Sequence, residues 1–209
     1  MPPGMAGKHC MPVRCATVTW LICDYGEVIS LPQPPGDLAA VESAAGVTDP
    51  ESFWASYWRH RPAYDRADVT ADQYWERVLA APPASIDLRR LVAADVQSWL
   101  HPNPASIRAV SGLKAKGIRL ALFSNAPLDL ADRLQDEPWL ESFSEKFFSC
   151  RIRATKPDAA AYNAIIGELG ISAEDAVFVD DRPANVEGAR AVGMRAFLFE
   201  SAEQLAGLL

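Results

Sequence analysis

Three short apolar runs in this chain stop abruptly on polar residues. ATVTWLIC ends at Asp24, IRLALF ends at Ser124 and Asn125, and AVFV ends at Asp180 and Asp181. Strands that are apolar at successive positions belong to parallel sheets covered by helices on both faces. The rest of the chain alternates accordingly. Helices are expected over Ile107–Lys116, ending at Gly117, and over Leu128–Gln135, Asp158–Leu169 and Asn185–Val192. Shorter strands are expected near Lys146–Ser149 and at RAFLF, and a short helix closes the chain. Strands alternating with helices specify a doubly wound α/β fold.

Far more chain separates the first two runs than one crossover helix needs. Pro32, Pro34, Pro35 and Gly36 read as a linker, and the pattern from there to about residue 104 is helical. Phe53, Trp54, Tyr57 and Trp58 form one stripe, Tyr74, Trp75, Val78 and Leu79 a second, and Ile86, Leu91, Val92, Val96 and Trp99 a third. Four of the six tryptophans fall here, enough aromatic area to give the segment its own core. Residues 32–104 are therefore expected as a helical subdomain inserted into a core built from residues 16–31 and 105–209. Residues 1–15 have no periodicity and are expected as a flexible leader.

Composition narrows the function class. With 27 acidic against 20 basic residues and a net charge of −7, the chain lacks the broad positive face that nucleic acid requires. No apolar run approaches the ~20 residues that span a bilayer. The first residues lack the apolar stretch of a signal peptide. A cytoplasmic protein handling small molecules is the expectation, with no nucleic-acid or membrane partner. Cys10 and Cys15 have no second pair to complete a zinc set, and Cys23 and Cys150 lie in apolar surroundings that suit buried thiols. Monomer and homodimer are both compatible with the sequence.

In open α/β sheets, functional residues gather at the carboxyl ends of the strands. Asp24, Ser124, Asn125, Asp180 and Asp181 all occupy that position, and Lys156 lies in the loop ATKPD before a helix. Each alone has a structural explanation, because Asp and Asn cap helices and Ser-Asn is common in turns. Together they make a chemically coherent set. Three converging carboxylates repel one another unless a cation neutralises them, and an all-oxygen ligand set points to magnesium. A magnesium ion beside a lysine and a hydroxyl makes a pocket for a phosphoryl group, with an aspartate available as nucleophile.

In the order and spacing of these motifs, residues 16–205 resemble the haloacid dehalogenase superfamily. They resemble specifically its magnesium-dependent, phosphatase-like branch, with a helical cap inserted after the first strand. The resemblance implies a Rossmann-like core and hydrolysis of a small anionic phosphorylated metabolite. It matches Asp24 to the nucleophile that becomes an aspartyl-phosphate and Ser124, with Asn125 beside it, to the phosphoryl-binding hydroxyl. Lys156 matches the lysine that neutralises nucleophile and phosphate. Asp181 matches the principal metal ligand of the last motif, Asp180 a supporting one, and Asn185 a residue that often supports that loop. Asp24 and the main-chain carbonyl of Gly26 complete the implied metal set.

One departure matters. The family's phosphatases usually carry an aspartate two residues after the nucleophile as general acid and base, and here that position is Gly26. A positioned acid/base contributes about 10²–10⁴ in rate, which glycine cannot supply. The motif DYGEV is similar to a sugar-phosphate phosphatase group whose first motif has the form DLGNV, so a sugar phosphate is one expected substrate. Glu27 is the nearest carboxylate but is out of phase by one residue. The segment WRHRPAYDR is expected where a cap helix ends at Pro62. Arg59, His60, Arg61 and Arg66 could draw an anionic substrate there, with Arg61 taken as substrate-binding; His60 or Asp65 could protonate a leaving group, the alternative being exposed turn residues. Two other readings stay open. A binding or regulatory protein would have kept the site and lost turnover at Gly26. A haloacid dehalogenase would attack with the same aspartate without metal, but typically carries serines where this chain has Asp180 and Asp181. A phosphomutase is disfavoured by Gly26.

Overall fold

The computed structural model describes residues 20–80 and 86–208. The expected leader 1–15, with Cys10 and Cys15, and the first residues of the opening strand lie outside them. Five strands, β1 (Trp20–Cys23), β2 (Arg119–Ser124), β3 (Glu145–Phe148), β4 (Ala176–Asp180) and β5 (Arg195–Leu198), form one sheet in the order β3-β2-β1-β4-β5. Every pairing is parallel.

The period of two along each strand sorts the side chains onto two faces. Leu21, Cys23, Leu120, Leu122, Val177 and Val179 point to one core. It is covered by α5 (Pro104–Ala115), α6 (Leu128–Gln135) and α10 (Ala202–Gly207). Trp20, Ile22, Ala121, Phe123, Ala176 and Phe178 point to the other, under α8 (Ala159–Leu169) and α9 (Pro183–Ala191). A four-residue helix, α7 (Ser149–Ile152), follows β3. Cys23 and Cys150 are buried free thiols, as the apolar context implied. Among the described residues no helix is long and apolar enough to cross a membrane.

The strand order changes direction at β1. The chain steps outward through β2 and β3 on one side, then returns to place β4 and β5 on the other. Such a switch point opens a crevice at the strands' carboxyl ends, here between Asp24 and Asp180.

Between β1 and β2 lie α1 (Pro35–Ala45), α2 (Pro50–Asp65), α3 (Ala71–Leu79) and α4 (Leu88–Ser98). Val41, Tyr57, Tyr74, Trp75 and Leu91 are wholly buried in a third core of their own, and Tyr64 stacks on Tyr74 with ring centroids 4.4 Å apart. The chain enters and leaves this insertion side by side: the Leu31 N–H donates to His101 O at 2.7 Å and the Asn103 N–H to Ile29 O at 2.8 Å. Tyr64 Oη donates to Asp129 Oδ2 at 2.7 Å, and Ser149 Oγ to the Asp65 carbonyl at 2.6 Å. These bonds hold the insertion against the loops at the strand ends.

The structure corrects three details. α2 does not end at Pro62 but runs through it to Asp65. An interior proline costs about 3 kcal/mol, and burial of Arg61, Tyr64 and Asp65 around it offsets that cost. Asp65 is consequently a buried helical residue rather than an exposed turn residue. Val96 and Trp99, assigned to an insertion stripe, pack instead against the core of the sheet.

Candidate active site

Each residue at the strand ends is placed by backbone geometry. The Asp24 N–H donates to Val179 O at 2.9 Å, which continues the β1–β4 ladder and fixes where its side chain emerges. Asp24 Oδ1 accepts the Tyr25 N–H at 2.7 Å and lies 2.7 Å from Lys156 Nζ. Lys156 Nζ also donates to Asp180 Oδ2 at 2.7 Å and to Phe123 O at 2.9 Å. Asp180 is wholly buried and receives Asn185 Nδ2 on both oxygens, at 2.9 and 3.0 Å, and the Arg182 N–H on Oδ1 at 2.9 Å. Asp181 is half-buried at the cavity wall. Oxygen atoms of Asp24, Asp180 and Asp181 all lie within 4.8 Å of one another.

Asn125 does more than its place beside Ser124 suggests. Its Nδ2 donates to Lys156 O at 2.9 Å, and its Oδ1 accepts the Lys156 N–H at 2.9 Å. The side chain thus pairs with the backbone of the lysine loop as one strand pairs with another. A second support was invisible in the sequence. A Cβ on Gly188, in α9, would come within 2.5 Å of Pro157 O, so only glycine lets α9 close on the loop that carries Lys156.

Burial and charge act in opposite directions on this cluster. Burial pushes the Asp24 carboxyl up to about 7, against the Lys156 ammonium that lowers it, with Asp180 and Asp181 adding to the rise. Burial works against the Lys156 charge, but Asp24 and Asp180 outweigh it and hold that ammonium above its ordinary range. Asp181 is raised by burial and by Asp180. One fixed cation among three carboxylates leaves an excess of negative charge that an oxygen-liking divalent cation would neutralise.

A cavity of about 660 Å³ opens over these groups, and Asp24, Gly26, Ser124, Asn125, Lys156 and Asp181 border it. The insertion supplies its other wall. Arg61 and Asp65 border the cavity, whereas His60 and Arg59 do not. Arg61 is buried, with Nε on Asp65 Oδ1 at 2.7 Å, Nη1 on Asp95 Oδ2 at 3.4 Å, and a hydrogen bond to Tyr57 Oη. Glu27 borders the cavity from an exposed position with φ 55°. A Cβ on Gly26 would sit 3.7 Å from Trp99 Cζ3, in ordinary van der Waals contact with the indole.

Residues 36–193 match the model of the haloacid dehalogenase-like hydrolase family. The chain belongs to this family. The match begins after β1, so the placement of Asp24 rests on the sheet register and the site geometry described above. A phosphatase of Mycobacterium tuberculosis is 33% identical over 116 residues, 54% of this chain and 54% of that protein. A drimenol cyclase of Aspergillus calidoustus is 36% identical over 186 residues, 88% of this chain but 34% of that protein. The chain thus spans about half or less of these curated relatives. Among solved structures, a haloacid dehalogenase-family enzyme of Bacteroides thetaiotaomicron superposes with a TM-score of 0.75 at 15% identity, covering 92% of this chain and 98% of that one. An L-2-haloacid dehalogenase superposes with a TM-score of 0.67 at 17% identity, covering 87% and 86%. Within the haloacid dehalogenase-like fold, phosphatase and dehalogenase relatives therefore both occur, and the site must distinguish them.

Proposed function

We propose that the protein is a magnesium-dependent phosphomonoesterase that hydrolyses a small anionic metabolite through an aspartyl-phosphate on Asp24. The observation that carries this reading is the convergence of Asp24, Asp180 and Asp181 within 4.8 Å around the single ammonium of Lys156. A dehalogenase does not need a cation and has no use for that concentration of charge. The Asp24 and Asp181 carboxylates and the Gly26 carbonyl would hold magnesium, with Asp180 behind them, and the ion would supply charge neutralisation for nucleophile and phosphoryl oxygens.

One carboxylate oxygen of Asp24 attacks phosphorus, with the Lys156 ammonium 2.7 Å from Oδ1. The new Asp24–phosphorus bond forms as the ester P–O bond breaks, and the leaving alkoxide takes a proton. Water then hydrolyses the acyl phosphate, restoring the carboxylate and releasing inorganic phosphate. Ser124 and Lys156 hold the phosphoryl oxygens during both transfers. Asn125 acts through Lys156, keeping its loop in register. With glycine at position 26, the leaving-group proton comes from water rather than a positioned carboxyl. In this reading the insertion is a cap that excludes solvent and selects the leaving group. Arg61 borders the leaving-group end with its charge already shared among Asp65, Asp95 and Tyr57. A cytoplasmic setting and a monomer or homodimer complete the reading.

Phosphate release from a metabolite panel, with magnesium and with chelator, is the test. Release that disappears with chelator supports the reading; release of halide from a haloacid without metal would replace it. Gly26 favours a second reading, a binding protein without turnover. Tight phosphate-ester binding with no release under any condition would select that one.

A further inference from the structure

We propose that the cap side of the cavity receives a bulky, apolar leaving group, so that the preferred substrate is the phosphate ester of an apolar alcohol rather than of a sugar. The inference rests on the phosphomonoesterase reading and names its substrate class. A phosphoryl group fills only a small part of a cavity of about 660 Å³. Trp58, Trp99, Pro62, Leu130 and Tyr25 are among the residues that border it, together with the charged Glu27 and Arg182. Trp58 is 41% exposed, the only exposed tryptophan among the described residues. Its ring meets Trp99 edge-on, with centroids 6.2 Å apart and planes at 90°. Arg182, in the loop after Asp181, lies 5.8 Å from the Trp58 centroid. The two indoles thus form an apolar corner braced from the core.

Three of the polar groups that border the cavity bear on the choice between sugar and hydrocarbon, because they are already paired within the protein. Arg61 is shared among Asp65, Asp95 and Tyr57. Gln33 Nε2 donates to Ser98 Oγ at 2.6 Å, and Tyr25 Oη to Trp99 O at 2.7 Å. Sugar hydroxyl groups facing the two indoles would leave water without gaining a partner there, and an unmade hydrogen bond is costly. An apolar group gains by the same transfer.

The test compares two primary-alcohol phosphates of similar leaving-group basicity, 2-naphthylethyl phosphate and glucose 6-phosphate, each bound to the magnesium-loaded Asp24→Asn protein in a calorimeter. The naphthylethyl ester should bind at least about tenfold more tightly, and Asp24→Asn/Trp58→Ala should lose most of that preference while still binding inorganic phosphate. Equal or tighter binding of glucose 6-phosphate, or a preference unchanged by removing Trp58, overturns the inference. The wild-type protein separates the two layers of the argument. Phosphate released chiefly from the sugar ester defeats the substrate class alone. Selective binding of the apolar ester with no release from either defeats the phosphatase reading and leaves the apolar pocket standing.

Discussion

Two buried clusters face each other across the same cavity, and both set one basic side chain between two aspartates. At the strand ends Lys156 lies between Asp24 and Asp180; in the insertion Arg61 lies between Asp65 and Asp95. The difference is closure. The guanidinium cluster adds the Tyr57 hydroxyl and the helices around it, so its charges are shared internally. The ammonium cluster has a third carboxylate, Asp181, and an oxygen of Asp24 open to the cavity. One arrangement holds helices together, whereas the other carries a surplus of charge that suits a cation and a phosphoryl group.

The largest expected effect isolates the open cluster. Asp24→Asn should lower kcat by more than about 10⁴-fold while leaving the melting temperature unchanged or higher, since it removes one crowded carboxylate. Lys156→Met and Arg61→Met come next and compare the clusters directly. Each leaves buried aspartates unpaired, at a cost of about 3–5 kcal/mol in denaturant titrations. Their activities should diverge: the folded Lys156→Met protein should be nearly inactive, whereas folded Arg61→Met should keep kcat within about tenfold. Equal loss of kcat in both would erase the distinction.

The pH dependence of the metal-free protein sharpens the comparison further. Asp24 has an ordinary value of 3.8 and rises to about 7 in the folded protein. The folded state therefore binds that proton more tightly, so the stability Asp24 contributes is complete below about 3.8 and lost as pH rises through about 7. Asp181 and Asp65 are raised in the same direction. The metal-free melting temperature should fall between about pH 5 and pH 8, and magnesium should recover more of it at pH 8 than at pH 5. Gly188→Ala gives the smallest effect. Crowding Pro157 should cost about 1–3 kcal/mol and lower kcat through the displaced Lys156 loop, with the insertion cluster untouched.

Much of the open cluster was legible in the sequence and little of the closed one. Strands buried on both faces and ending in Asp, Ser-Asn and Asp-Asp announce a parallel sheet with a polar crevice, because few other arrangements bury such runs. The helices after β2 were readable from apolar spacing; α6 spans Leu128–Gln135 as expected. The insertion follows longer-range logic. Pro62 reads as a helix end until the burial of Tyr57, Arg61, Tyr64 and Asp65 around it is known. Arg61 reads as a charge that draws an anionic substrate until Asp95, 34 residues away, is placed beside it. Trp99 belongs to a helical stripe by spacing, yet it packs against the core of the sheet as well as edge-on to Trp58. Asn125 was recognised by its neighbour, but its pairing with the Lys156 backbone depends on two loops meeting. Contacts set by tertiary packing leave little trace in local pattern.

The central claim is that Asp24 carries the phosphoryl group. A single turnover with a radiolabelled phosphate ester, quenched in acid and mapped by peptide, tests it most directly. The account expects label on the peptide containing Asp24 in magnesium, and none with chelator or in Asp24→Asn. Label on another residue, or phosphate released at full rate by Asp24→Asn, would contradict it.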